Sequence, residues 1–151
     1  MSKVTPCLWF FSEAEEAANF YVSLLPESRI VTVQRNNVDS PGGKAGAVLV
    51  IEFTLGGQRF MALNGGMRME YTHAVSFKID CADQAEVDRL WDALVHEPSQ
   101  CGWLVDGWGL SWQILPDDLQ EIIADPRGMQ AMLTMTKLDV AALRRSVGRD
   151  R

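Results

Sequence analysis

The segment 109-GLSWQIL-115 repeats the pattern of 57-GQRFMAL-63, and this repetition decides the predicted fold. Each segment starts with a glycine and continues as a β-strand of mixed apolar and polar residues. The alignment pairs Phe60 with Trp112, Met61 with Gln113, and Leu63 with Leu115. The chain is therefore predicted to contain two copies of one structural unit.

The elements before each repeated strand follow a similar order. The first copy is predicted to contain a strand at 4–11, a helix at 12–25 and strands at 29–35, 47–55 and 58–64. The second copy is predicted to contain a strand at 72–80, a helix at 82–96 and strands at 102–107 and 109–116. The strand expected between the helix and 102–107 has no clear signal in the sequence. Helical patterns follow at 117–124, 128–135 and 139–147.

Capping signals mark the start of both long helices. Ser12 with Glu15, and Asp83 with Glu86, have the three-residue spacing of a capping box. In the strand at 72–80, strict alternation predicts that His73 shares a face with Phe77 and Ile79, whereas Lys78 faces the other way.

Composition and charge restrict the class of protein. A chain of 151 residues with 47% hydrophobic and 23% charged residues is typical of one globular domain. The net charge of -6 disfavours nucleic acid as a partner, because phosphate backbones would be repelled. Three cysteines without a CxxC pattern indicate reduced thiols and a cytoplasmic location. No signal peptide or membrane-spanning run is found, so no membrane association is expected.

Several segments together resemble a known family. They are AEEAANFY (14–21), ESRIVTVQR (27–35), GGQRFMALNGG (56–66), HAVSFKIDCADQAEVDRLWDAL (73–94), QCGWLVDGWGLSWQILP (100–116) and AMLTMTKLDVAAL (131–143). They resemble the PhnB-like family of the glyoxalase/bleomycin-resistance, or vicinal oxygen chelate, superfamily, whose members often carry the label 3-demethylubiquinone-9 3-methyltransferase.

The resemblance implies an α+β fold of two tandem βαβββ modules that form a curled, barrel-like mixed sheet, commonly as a homodimer. The expected single domain covers 1–143, with modules at about 4–66 and 72–116 and a helical tail at 117–143. Residues 144–151 are expected to form a basic disordered tail, because they contain four arginines.

The resemblance also implies four positions at which superfamily enzymes bind a divalent metal. They fall near Pro6 or Cys7, at Met61, at His73 and at Gln113. Only His73 and Gln113 are plausible ligands, since proline has no ligating side chain and a thioether suits neither Mg²⁺ nor Mn²⁺. Two neutral ligands are a poor site for a hard dication, so the expected protein has no cofactor.

The methyltransferase label has no support in the sequence. A usual nucleotide-type site needs a strand, a glycine-rich turn and a helix in succession. None of the three glycine pairs has that context. Gly42–Gly43 lies in a loop, Gly56–Gly57 lies in a hairpin, and Gly65–Gly66 lies before 67-MRMEYTH-73.

Three functions remain open from the sequence. The preferred hypothesis is a small-molecule site in a cleft, where His73 and Gln113 supply hydrogen bonds and His73 is the candidate general base. Alternatives are a sequestering dimer of the bleomycin-resistance type and a metal-dependent lyase, isomerase or dioxygenase whose ligands come from Cys7 or a partner chain. The residues expected to line the cleft are Cys7, Met61, Trp103, Trp108 and Gln113.

Two further expectations concern the C-terminal half. Asp106 should hold the turn before the last strand by accepting backbone N–H bonds, and Trp112 should pack under a helix, on the face opposite Gln113. The methionine-rich stretch from Met129 to Leu138 should cover either an end of the barrel or, preferably, a second subunit.

Overall fold

A computed structural model describes residues 2–149 of the chain. The chain divides into two compact units, with the boundary between Glu70 and Tyr71. The first unit contains β1 (Cys7–Phe10), α1 (Ala14–Val22), β2 (Arg29–Arg35), β3 (Val48–Leu55) and β4 (Gln58–Asn64). The second contains β5 (Ser76–Cys81), α2 (Gln84–Leu94), β6 (Glu97–Pro98), β7 (Trp103–Val105), β8 (Ser111–Pro116), α3 (Leu119–Ile123), α4 (Pro126–Leu133) and α5 (Val140–Ser146).

The two sheets have the same strand order, which confirms the predicted duplication. The first sheet runs β1-β4-β3-β2 and the second runs β5-β8-β7-β6. In each sheet the first and last strands of the unit pair in parallel, and the other pairings are antiparallel. The protein is therefore an α+β protein with two mixed four-stranded sheets.

Neither four-stranded sheet closes on itself within residues 2–149. Each ends in two edge strands, β1 and β2 in the first sheet and β5 and β6 in the second. The observed architecture is therefore two open sheets, and the curled, barrel-like sheet implied by the resemblance stays a prediction.

One face of each sheet is buried under the helix of its own unit. In the first unit, Ile51, Phe53 and Ala62 are at most 1% exposed and lie on the face that α1 contacts. Small residues on α1 allow this close approach, since Ala14, Ala17 and Ala18 are fully buried. In the second unit, α2 packs against the face that carries Trp112 and Ile114, so the prediction for Trp112 is confirmed.

The strand that the sequence left unclear in the second unit is β6, which contains only Glu97 and Pro98. It pairs with β7 at the edge of the sheet. Proline has no N–H to donate, so Pro98 is tolerated at an edge and does not extend the ladder.

The start of α1 differs from the prediction. The N-cap is Glu13, not Ser12, and its side chain makes no capping bond to the helix. The first helical N–H, that of Ala14, instead donates to Oδ1 of Asn64 at the end of β4, over 2.9 Å. By contrast, Asp83 caps α2 as predicted and accepts from the Glu86 N–H over 2.9 Å.

The first strand of the second unit begins later than predicted, at Ser76 instead of residue 72. Its ladder starts where Ser76 pairs with Ser111, the first residue of β8. Residues 72–75 have no opposite strand, because the chain before Ser111 forms a turn in which Gly109 has a φ of 94°. His73 therefore lies in a turn and not in a strand.

The C-terminal helices pack onto their own sheet. Leu115 of β8 joins a buried cluster with residues of the helical segment, namely Leu119, Ile122, Met132, Leu138 and Leu143. Part of the methionine-rich stretch thus covers the second unit itself. Met129 and Leu133 stay exposed, at 39% and 55%.

The last helix extends past residue 143, where the sequence predicted a disordered tail to begin. It continues to Ser146, and Nε of Arg144 contacts Oδ2 of Asp118 over 3.0 Å. Nη1 of Arg149 lies 3.4 Å from Oε2 of Glu121. Tertiary ion pairs thus hold part of the predicted tail, while residues 150 and 151 lie outside the described part. No helix within residues 2–149 combines the length and apolar character needed to cross a bilayer.

A buried carboxylate organises the turn between β7 and β8. Asp106 is 1% exposed, and its Oδ1 accepts from the N–H groups of Trp108 and Leu110 over 2.9 and 3.0 Å. Oδ2 accepts from Nε1 of Trp112 over 2.8 Å. The predicted backbone bonds are confirmed, and the indole bond is an additional finding.

We expect the Asp106→Asn substitution to lower the free energy of unfolding by about 2–4 kcal/mol, measured by urea denaturation. An amide has one acceptor oxygen, so the NH₂ group of the new side chain would face either the Trp112 indole or the backbone donors. Asp92→Asn on the exposed side of α2 is the control and should change stability by less than about 0.5 kcal/mol. A loss below about 1 kcal/mol for Asp106→Asn would contradict this account.

Candidate functional site

The face of the second sheet opposite to α2 carries polar residues, and the pairing of the strands determines which residues lie side by side on it. Lys78 of β5 lies opposite Gln113 of β8, and Gln113 lies opposite Trp103 of β7. Residues directly opposite one another in a ladder share one face of the sheet. One row across the sheet therefore carries an ammonium group, a carboxamide and an indole.

A cavity of about 360 Å³ lies between this face and the helices α3 and α4. Polar and apolar side chains both line it. The lining residues are Lys78, Asp80, Cys101, Trp103, Gln113, Leu115, Pro116, Asp117, Leu119, Gln120, Ile123 and Met132. Its volume lies within the range of small-molecule sites, for which apolar walls with a few polar groups are typical.

Hydrogen bonds fix the polar groups on the sheet side of the cavity. Nζ of Lys78 donates to both carboxylate oxygens of Asp80, over 2.9 and 2.8 Å. Nε2 of Gln113 donates to Oγ of Ser76 over 3.0 Å. This bond orients the amide and leaves the carbonyl oxygen and the second N–H of Gln113 for a ligand.

His73 lies beside this row but does not line the cavity. It is exposed, its Nδ1 is 2.6 Å from Oγ of Ser111, and its ring meets the Trp103 ring edge-on with 5.2 Å between centroids. The prediction that His73 shares a face with Phe77 and Ile79 is wrong. Strand alternation does not extend to His73, which lies in a turn, and its contacts are on the polar face.

The other candidate residues are divided between the two units. Cys7 and Met61 are opposite each other in the parallel ladder of the first unit, and Cys7 is exposed. Trp108 belongs to the turn held by Asp106 and is not a lining residue of the cavity. Of the residues predicted to line a cleft, Trp103 and Gln113 are the two that this cavity brings together.

Register also corrects the internal correspondence between the units. Met61 of β4 corresponds to Gln113 of β8, and Met61 lies opposite Cys7 whereas Gln113 lies opposite Lys78. The counterpart of Cys7 is therefore Lys78, not His73. The sequence placed Lys78 on the correct face but did not single it out, because only the pairing of β5 with β8 aligns it with Gln113.

Sequence reasoning also missed the helical wall of the cavity. Leu119, Ile123 and Met132 belong to helices that were predicted, but their position over the sheet was not. Their apolar spacing was a signal for burial against some surface. It contained no information about which surface, because a helix pattern specifies its own apolar stripe and not its partner.

The donor set of this site does not suit a divalent metal. The atoms that could act as ligands are Nε2 of His73 and the carbonyl oxygen of Gln113, since Nδ1 of His73 and Nε2 of Gln113 already bond to Ser111 and Ser76. A hard dication prefers several anionic oxygens, and neither of these two atoms is one. Within residues 2–149, no group of three His, Cys, Asp or Glu side chains could hold a metal ion.

The three cysteines are free and differ in environment. Burial raises the pKa of the Cys81 thiol to about 12, with Glu86 and Asp80 contributing in the same direction. Burial also raises the pKa of the Cys7 thiol, although Cys7 is exposed. Cys101 lines the cavity and has a φ of 61°, in the left-handed region, before Gly102.

We expect thiol alkylation at pH 8 to separate these residues. With a pKa of about 12, Cys81 would be thiolate in only about one molecule in ten thousand, and its side chain is fully buried. Mass spectrometry after iodoacetamide treatment should therefore show label on Cys7 but not on Cys81 until urea is added. Cys7→Ser is the control that removes the exposed thiol. Labelling of native Cys81 at the rate of Cys7 would contradict the prediction.

Comparison with known proteins decides the family. The family model described as 3-demethylubiquinone-9 3-methyltransferase matches residues 2–115. This chain belongs to that PhnB-like family. A Bacillus cereus PhnB protein, to which the same methyltransferase activity has been ascribed, is 34% identical over 76% of this chain and 99% of its own, with a TM-score of 0.66. The structure of protein PA1353 from Pseudomonas aeruginosa is 19% identical over 78% of this chain and 98% of its own, with a TM-score of 0.57. At this identity it supports the fold alone. No curated protein matches the chain.

The residues of this PhnB-like chain do not fit S-adenosylmethionine bound in the usual nucleotide-type manner. That mode needs glycines between a strand and the following helix, where backbone N–H groups receive the ligand. The connections here, residues 11–13 before α1 and residues 82–83 before α2, contain no glycine. The carboxylate of Asp83 and the side-chain carbonyl oxygen of Asn64 already accept from helix N-termini.

Proposed function

We propose that this PhnB-like protein binds a small molecule in the cavity of its second unit, against Trp103 and Gln113. The observation that carries the proposal is the cavity of about 360 Å³, in which an aromatic wall and an oriented carboxamide face apolar helical residues.

The side chains favour a ligand with an apolar or aromatic body and a polar edge. The indole of Trp103 provides a flat surface for ring stacking. Gln113 has one carbonyl oxygen and one N–H beyond its bond to Ser76, and these can pair with an amide-like or hydroxyl edge of a ligand. Leu119, Ile123 and Met132 provide the apolar contact opposite.

His73 acts in this proposal through Trp103 and not as a wall of the cavity. Its ring packs edge-on against the indole, and its bond to Ser111 holds the ring in place. The role of general base stays a further proposal for His73, since Nε2 is the ring nitrogen not engaged by Ser111.

The relationship to the glyoxalase/bleomycin-resistance superfamily is part of the proposal. The repeated βαβββ order and the parallel pairing of first and last strands in both units support it. In that relationship the expected assembly is a homodimer and the expected location is the cytoplasm. The residues of the site give methyl transfer no support.

A thermal-shift screen of small amphiphilic molecules tests the binding function, because a ligand that binds the folded state raises its melting temperature. For a molecule identified in this way, Gln113→Met should weaken binding about tenfold, since it removes both available hydrogen-bonding groups at similar volume. Gln58→Met, on an exposed residue of the first unit, is the control.

Protection of Cys101 supplies an independent readout of the same experiment. Because Cys101 lines the cavity, a bound molecule should slow its alkylation while leaving that of Cys7 unchanged. A ligand that shifts the melting temperature but neither protects Cys101 nor responds to Gln113→Met binds elsewhere, and the proposal would then be wrong.

Substitutions of His73 distinguish positioning from hydrogen bonding. His73→Phe keeps a ring against Trp103 and should retain ligand affinity, whereas His73→Ala should lower it by up to about tenfold, the value of one aromatic pair. Isothermal titration calorimetry measures both variants. Equal and large losses in the two variants would instead assign the histidine nitrogen a direct contact with the ligand.

A further inference from the structure

We infer that the cavity of the second unit selects cationic molecules, namely amines with an aromatic or aliphatic body. This inference rests on the proposed function and specifies the ligand class of the same cavity. It follows from the balance of charges along the cavity wall. The apolar and hydrogen-bonding groups do not by themselves determine the charge of the ligand.

Among residues 2–149, three charged side chains line the cavity, and two of them neutralise each other. Lys78 donates two hydrogen bonds to the carboxylate of Asp80, so this pair contributes no net charge. The third charged residue is Asp117, the first residue after β8. The wall therefore carries one negative charge in excess.

Within residues 2–149, no Lys, Arg or His nitrogen lies within 4.0 Å of a carboxylate oxygen of Asp117, so Asp117 forms no ion pair there. The adjacent Asp118 differs, because it pairs with Arg144 over 3.0 Å at 22% side-chain exposure. Two neighbouring aspartates thus have distinct roles. Asp118 ties α3 to α5, whereas Asp117 has no such pair and is a lining residue of the cavity.

The surroundings of Asp117 strengthen the preference for a cation. An ammonium group held beside Asp117 can keep its water contact on the exposed side, so desolvation costs are modest. The body of the molecule would lie against Leu119, Ile123 and Met132, with the face of Trp103 also attractive to cations. The net charge of -6 on the chain adds a field that repels anions.

Three matched probes test this inference by isothermal titration calorimetry at pH 7 and low salt. They are 2-phenylethylamine, the neutral 3-phenylpropionamide and the anionic 3-phenylpropionate, which share a phenyl ring and a two-carbon spacer. We expect the amine to bind about tenfold more tightly than the carboxylate, with the amide between them. Raising the salt concentration to about 0.5 M should reduce the difference, because Asp117 is exposed and its charge is screened.

The Asp117→Asn variant identifies the residue responsible. It should weaken binding of the amine about five- to tenfold and leave binding of the amide unchanged. Asp92→Asn removes the same charge from an exposed position on α2 and is the matched control, which should leave all three affinities unchanged. Melting temperatures of both variants verify that the fold is retained.

The outcomes separate this inference from the proposed function. If the amide and the carboxylate bind with Gln113 dependence but the amine is not preferred, the charge assignment is wrong and the binding function stands. The inference is also overturned if Asp117→Asn and Asp92→Asn weaken the amine equally. If none of the three probes binds, both the inference and this account of the cavity fail.

Discussion

The carboxylate of Asp106 is the group on which the geometry of the second unit depends. It accepts three hydrogen bonds, from the N–H groups of Trp108 and Leu110 and from the indole of Trp112, in a site that excludes water. These bonds fix the turn that starts β8 and anchor the largest residue of the core beneath α2. Because a buried acceptor without donors is costly, these bonds stabilise both the turn and the position of Trp112. The register of β8 then determines where Gln113 lies.

Register gives the polar face its chemistry, and the C-terminal helices give it a cavity. The parallel pairing of β5 with β8 aligns Lys78 with Gln113, and β7 adds Trp103 on the other side. At Leu115 the same face becomes apolar and is covered by the helical cluster. The candidate site lies at this transition, where the sheet still offers hydrogen-bonding groups and the helices already exclude water. One strand thus serves both the site and the core.

Membership of the PhnB-like family does not by itself specify an activity for this chain. The family description names a methyl transfer, yet the strand–helix connections contain no glycine and their helix N-termini already have protein acceptors. The superfamily resemblance implies metal chemistry, yet the row of Lys78, Gln113 and Trp103 offers a cation, an amide and an indole. We propose that these side chains form a recognition site for an organic molecule. A shared fold with different side chains at corresponding positions is a common way in which related proteins differ in chemistry.

The sequence by itself determined the duplication, the order of elements and the faces of the regular strands, because these depend on local periodicity. The predicted strands at 29–35 and 58–64 agree with β2 and β4, and the backbone bonds of Asp106 follow from local turn chemistry. Tertiary structure decided everything that needs a distant partner. It shortened β5 because residues 72–75 have no opposing strand, and so moved His73 to the other face. It also replaced Ser12 by Asn64 as the partner of the α1 N-terminus and placed α3 and α4 over Leu115. The physical reason is that a periodic pattern specifies which side of an element is apolar, whereas the identity of the surface that covers it is set by contacts between residues far apart in the chain.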